Sequence, residues 1–283
     1  MLTIDAHQHY WAPSRGDYDW MPQDNPILAR PYGPADLAPA LAAHSIERTV
    51  LVQAAATVHE TEYMLGLADA TPSIAAVVGW VDFEQPADLT HLRRLAQHPK
   101  FVGIRPMIQD IPDPDWMLHD DVQWGFRATA ELGLTFDALG FPRHLANVLT
   151  ILRRYPDLRV VVDHCMKPQI RAHTPASFQH WADGISRIAQ ETGAYCKLSG
   201  LVTETDTDCS ADALRPYAEH ILTAFGPDRV MWGSDWPVCH LRCTYADWHH
   251  TARALTSHLP PAAQAQIFGG TAAAFYGLGS RIG

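Results

Sequence analysis

No apolar run in this 283-residue chain is long enough to cross a bilayer, so a helical membrane span is not its organising element. Cysteines are few. The five (Cys165, Cys196, Cys209, Cys239 and Cys243) are odd in number and show no Cys-x-x-Cys spacing, so reduced thiols are expected rather than a disulfide scaffold. Positive charge is also short. Lys and Arg total 21 against 31 Asp and Glu, and the net charge of −10 argues against nucleic acid or an anionic membrane surface as partner. The opening Met1-Leu2-Thr3-Ile4-Asp5 lacks a basic stretch leading into an apolar one. No signal peptide is apparent, and a cytoplasmic location is expected. No low-complexity block or linker divides the sequence, so residues 1–283 are read as one domain.

What is present is alternation. Strand-like runs occur at Thr3–Tyr10, Arg48–Ala54, Ser73–Asp82, Phe101–Met107, Leu134–Leu139, Leu158–Cys165, Ala194–Ser199 and Arg229–Asp235. Helix-like segments separate them: Ala35–His44, Glu60–Ala70, Pro86–Gln97, Val122–Leu132, Pro142–Arg154, Ala176–Glu191, Ala211–Phe225 and Tyr245–Ser257, with Ala262–Phe275 closing the chain. Eight β-then-α units with near-continuous apolar strands predict an α/β fold of the (β/α)8 TIM-barrel type. An open doubly wound sheet competes with it, but the Gly-rich nucleotide fingerprint is missing after the first strand. A long loop follows that strand, through about Gly33, and carries Trp11, Tyr18 and Trp20 among several prolines.

His-Gln-His stands where the fingerprint would be. On a strand, His7 and His9 point to one side, about 6–7 Å apart along the chain, a reach suited to one metal ion or one polarised oxygen. Barrel active sites lie at the C-terminal strand ends. Those ends here carry Gln53, Trp80 and Asp82, Arg105, Asp137, Asp163 and His164, Lys197 and Ser199, and Asp235. Core stability does not call for ionisable groups at strand after strand. His249 and His250 lie on a helix and are expected to be exposed.

Asp5-Ala6-His7-Gln8-His9, Gly103-Ile104-Arg105-Pro106, Asp163-His164-Cys165-Met166-Lys167-Pro168 and Gly233-Ser234-Asp235-Trp236-Pro237 together resemble the amidohydrolase superfamily. With Trp11 after the histidine pair, the likeness is greatest to its sugar-lactone hydrolases, those acting on L-fuconolactone and L-rhamnonolactone. The resemblance implies hydrolysis of a small-molecule sugar lactone to its aldonic acid. Asp235 is then the general base for water, and His7, His9 and His164 polarise the carbonyl. Arg105 orients substrate through its planar fork, and Lys167, Trp11, Trp80, Gln53 and His240 are the further candidate substrate contacts.

The fourth and fifth strands offer Arg105 and Asp137 where many superfamily members carry a metal-bridging lysine or glutamate and a histidine. A binuclear centre is therefore not expected. Two versions of the site stay open: one divalent ion, zinc by preference, on His7, His9 and Asp235, or catalysis without metal. A metal-dependent non-oxidative decarboxylase and a non-catalytic sugar-binding barrel are the competing readings. Substrate choice is assigned to the loops Trp11–Gly33, Ile108–Asp121 and Leu201–Asp208, and oligomeric state is not readable from the sequence.

Overall fold

The computed structural model describes residues 2–206 and 209–278, leaving two positions of the expected specificity loop Leu201–Asp208 outside the described residues. Eight parallel strands follow one another in order: β1 (Ile4–Gln8), β2 (Arg48–Val52), β3 (Ile74–Gly79), β4 (Phe101–Ile104), β5 (Thr135–Ala138), β6 (Arg159–Val162), β7 (Tyr195–Leu198) and β8 (Val230–Trp232). Each pairs with the next. An isolated bridge, Gln8 to Trp236, joins the first strand to the turn after the last. The expected (β/α)8 barrel is the observed architecture.

The helices between and after the strands are α1 (Pro34–Ala43), α2 (Val58–Ala70), α3 (Leu89–Leu95), α4 (Gln123–Glu131), α5 (Leu145–Arg154), α6 (Pro175–Glu191), α7 (Ala211–Phe225), α8 (Tyr245–Thr256), α9 (Pro261–Ala265) and α10 (Thr271–Tyr276). Their starts are written locally. Pro34 and Pro175 open α1 and α6, where a missing N–H costs nothing. Thr57, Thr174, Ser210 and Thr244 accept from backbone N–H groups at α2, α6, α7 and α8, each cap contributing about 1 kcal/mol.

The apolar residues divide into two clusters. The larger fills the layer between strands and helices. The smaller takes Ile4, Ala6, Val50, Val52, Ala76, Val78, Val161 and Met231 from the strands, and Phe275, Tyr276 and Leu278 from the chain's last described turn. Tyr276 is buried among them and its hydroxyl donates to Asp137 Oδ2 at 2.8 Å.

Every strand is shorter than its sequence pattern suggests. The expected helix over Ala262–Phe275 is instead broken into α9, a π turn at Gln266–Gly270, and α10. The reason is a close approach at Gly269, where a Cβ would stand 1.8 Å from the Leu2 carbonyl oxygen. Among the described residues, no helix is long and apolar enough to cross a membrane.

Candidate active site

Beyond β1 and β8 the chain ends are tied together by a buried carboxylate. Asp5 accepts from the Ser234 N–H at 2.8 Å, the His7 N–H at 3.2 Å and the Tyr245 hydroxyl at 3.2 Å. Burial pushes its carboxyl up to about 6 despite these donors. The Asp235 N–H donates to the His7 carbonyl at 2.8 Å, and the His9 N–H to the Trp236 carbonyl at 2.7 Å. Gly233 permits the approach, because a Cβ there would meet the His7 Cβ at 2.6 Å. The β1–β2 register also shifts between Asp5 and Gln8. Bulges of this kind re-aim side chains beside active sites. His9 lies one residue beyond the strand.

The result is a cluster of nitrogens around one carboxylate oxygen. Asp235 Oδ1 is 3.2 Å from His9 Nε2, 3.7 Å from His7 Nε2 and 3.8 Å from His164 Nε2. His7 and His9 face each other at 3.2 Å through their Nε2 atoms. The His9 Nδ1 lies 2.7 Å from the Val52 carbonyl oxygen, which takes only a proton donor, so the lone pair of His9 is at Nε2 and turned inward. Burial pushes the Asp235 carboxyl up, but the three imidazoles more than offset it and hold the group well below the usual carboxylate range. Burial lowers the His164 imidazole to about 4 and takes His7 well below its ordinary value.

His164 does not end a strand, as expected from the sequence. It begins a left-handed turn in which His164, Cys165, Met166 and Lys167 have φ of 52°, 52°, 59° and 46°. Such a conformation costs about 1–2 kcal/mol per L-residue, and the surroundings hold it. Trp181 Nε1 donates to the Cys165 carbonyl at 2.7 Å, Lys167 N to the His164 carbonyl at 2.8 Å, and Ser199 Oγ meets His164 Nδ1 at 2.8 Å. Asp235 is itself left-handed, with φ 56°. Strain concentrated at ionisable residues such as His164 and Asp235 is the usual mark of a working site.

A charged layer lies beneath. The Lys197 ammonium, fully buried, donates to Asp137 Oδ2 at 2.6 Å and to His7 Nδ1 at 3.1 Å, and pairs with Asp163 Oδ1 at 3.0 Å. The Arg105 guanidinium donates to the Gln53 carbonyl and reaches Asp163 Oδ2 and His7 Nε2 at 3.5 Å each.

Above the cluster opens a cavity of about 260 Å³. His9, His164, Asp235, Arg105, Lys167 and Trp11 contribute to its lining, as the sequence leads one to expect. Lys167 Nζ is held by Gln109 Oε1 at 2.6 Å. His7 is fully buried beneath this surface. Three expected substrate contacts lie off the lining. Gln53 is buried, and its amide donates to the Arg105 carbonyl at 2.6 Å, so it props Arg105. Trp80 is held by backbone bonds to Thr61. His240 packs edge-on against Trp236. Sequence reasoning does not single out Trp20, Met107 and Gln109, which do line the cavity. Two of them sit in loops to which the sequence assigns substrate choice, Trp20 in Trp11–Gly33 and Gln109 in Ile108–Asp121.

The site fits one divalent ion. Ligand atoms of His7, His9 and Asp235 lie within 4.8 Å of one another, as do those of His7, Asp163 and His164. Two imidazoles and a carboxylate form a zinc-type donor set with room for water. His7 is the discriminating member. Lys197 and Arg105 both only donate, and the 3.1 Å contact of Lys197 with Nδ1 outweighs the 3.5 Å contact of Arg105 with Nε2, which favours acceptance at Nδ1 and a proton on Nε2. Ligating through Nε2 requires the other tautomer, with Nδ1–H toward Asp163 Oδ1, 3.6 Å away.

An eight-stranded parallel barrel with a strained His–Asp cluster at its C-terminal strand ends has the architecture of a barrel enzyme. The chain belongs to the amidohydrolase family, whose profile, described as "Amidohydrolase", matches residues 4–278. It is 40% identical over 279 residues to an L-fucono-1,5-lactonase of Burkholderia ambifaria, covering 97% of this chain and 95% of that protein. A second L-fucono-1,5-lactonase, from Burkholderia multivorans, is 35% identical, with 98% and 96% covered. A solved amidohydrolase of Burkholderia multivorans with bound zinc superposes with a TM-score of 0.92 at 33% identity, covering 98% of this chain and 99% of that one.

Proposed function

We propose that the protein hydrolyses a sugar lactone to the open-chain aldonic acid, with L-fucono-1,5-lactone as the leading substrate. The observation that carries the reaction is the Asp235 carboxylate, ionised and ringed by three imidazoles at the base of a small cavity. The substrate class comes from the lactonases that match nearly the whole chain.

In this reading the lactone enters with its carbonyl toward Arg105 and His164. Asp235 removes a proton from water as the water oxygen bonds to the carbonyl carbon. The negative charge that develops on the carbonyl oxygen is met by the Arg105 guanidinium and by His164 Nε2–H, with Ser199 donating to Nδ1. Collapse breaks the bond to the ring oxygen, and Asp235 returns the proton to that departing alkoxide. His7 donates from Nε2 to His9 and holds the lone pair of His9 in place. Lys167 and Trp20 line the cavity where sugar hydroxyls and an apolar sugar face would lie. One zinc-class ion on His7, His9 and Asp235 would add Lewis acidity at the same carbonyl.

A panel of aldonolactones, followed by acid release with a pH indicator, tests the proposal. Turnover of L-fucono-1,5-lactone that disappears in Asp235→Asn is expected. Folded protein without activity on any member of the panel would overturn it.

A further inference from the structure

A second group of histidines lies outside the barrel. His44 follows the last residue of α1, and His249 and His250 are adjacent on α8. Sequence alone suggests that both residues of the α8 pair are exposed. The structure separates them: His250 is exposed, whereas His249 is only 6% exposed. The rings of His44 and His249 are 4.6 Å apart, and those of His44 and His250 are 5.4 Å apart. One ring nitrogen from each of the three can be chosen so that all lie within 4.8 Å of one another.

The buried member is the telling one. Neither Nδ1 nor Nε2 of His249 has a hydrogen-bond partner. Its ring is fixed edge-on by Trp232 at 5.2 Å and Phe268 at 5.8 Å. A buried polar ring with both nitrogens unsatisfied calls for an explanation, and a bound ion is one of the few available.

We propose that His44, His249 and His250 form a second metal site, binding one zinc-class divalent ion. Three imidazoles suit Zn²⁺, Co²⁺, Ni²⁺ or Cu²⁺, and the exposed side at His250 leaves the fourth position to water. Burial lowers His249 to about 4 and also lowers His44, so both offer lone pairs at neutral pH. Arg253, which stacks over Phe268 at 3.8 Å, also acts to keep His249 neutral. The ion would clamp the first helix of the barrel to the helix that follows β8. Those helices flank the seam where β1 meets the turn after β8, at the Gln8–Trp236 bridge. The site is therefore a staple on the barrel's closure, independent of the hydrolytic cluster.

Equilibrium dialysis of the whole protein against Zn²⁺ tests it, comparing wild type with His44→Ala/His250→Ala. Both substituted positions are at least partly exposed, so the fold survives, and neither touches the cavity, so lactone hydrolysis is unchanged. The double variant should bind one ion fewer per chain, and His250→Ala alone should weaken that ion at least about tenfold, as loss of a ligand exceeds loss of an outer-shell partner. Co²⁺ added in a His7→Ala background, where both barrel-mouth donor sets lose their shared member, should give the intense visible absorption of a tetrahedral site. That band should vanish when His250 is also replaced. Equal ion counts in wild type and double variant, or a Co²⁺ spectrum indifferent to His250, would overturn the proposal.

Discussion

The Lys197 ammonium stands 3.1 Å from His7 Nδ1 and, on its other sides, contacts Asp137 and Asp163. This geometry turns the His7 N–H toward the hydrolytic cluster. Lys197 is thus a positioning residue, acting on substrate only through the tautomer of His7. In Lys197→Met, kcat should fall with KM little changed, and ¹⁵N resonances should report loss of the Nε2–H form of His7. Asp137 would also be left buried without its cation, and Asp163 with Arg105 alone, so stability should drop by about 3–5 kcal/mol. An unchanged tautomer in the variant would remove the basis for this assignment.

Asp235 is expected to carry the proton through the reaction. Asparagine preserves the shape but cannot accept a proton. Asp235→Asn should therefore reduce kcat by at least about 10²-fold, with the fold intact by circular dichroism. Near-normal turnover would shift the role of base to His9, whose inward lone pair is the next nearest.

The pH dependence follows from His164. Burial lowers its imidazole to about 4, so at mild acidity the folded protein keeps it neutral while the unfolded chain protonates. Its stabilising contribution is full above about pH 6.5 and is lost as the pH falls toward the folded value. kcat/KM should accordingly stay level from neutrality down to about pH 5 and fall below that. Asp235 is held lower still and does not set this limb. An acid limb centred near the ordinary histidine value would contradict the burial of His164 in the working enzyme.

Metal removal separates the two tautomers of His7. If the ion on His7, His9 and Asp235 is part of the resting enzyme, metal content and turnover should fall together on chelation and return together with Zn²⁺. Activity that survives complete removal would assign catalysis to Arg105, His164 and Asp235 alone. Measuring both quantities on the same sample is the decisive form of the experiment.

The barrel was legible in the sequence because each unit carries its own local pattern: an apolar strand, a capped helix start, and a polar residue at the strand end. The same logic singled out His9, His164, Arg105 and Asp235, which line one cavity. It failed where position depends on residues distant in the chain. Nothing near His164 announces a left-handed turn, since Trp181, Ser199 and the turn itself hold it in place. Gln53 and Arg105 follow the second and fourth strands, yet one supports the other, a relation visible only in three dimensions. The burial of His249 depends on Phe268, which lies in the segment where Gly269 breaks the expected helix against Leu2.

The His–Asp cluster is assembled across the seam, from residues such as His9 and Asp235 that lie 226 positions apart. Contacts of such separation are the most costly in chain entropy to form. A growing or truncated chain can build several β-α units and still lack Asp235, the carboxylate on which His7 and His9 converge. Competence therefore arrives all at once, when the final unit docks against the first. For the cell, a half-made copy of this protein is inert rather than partly active, and hydrolytic activity serves as a direct report that the circle has closed.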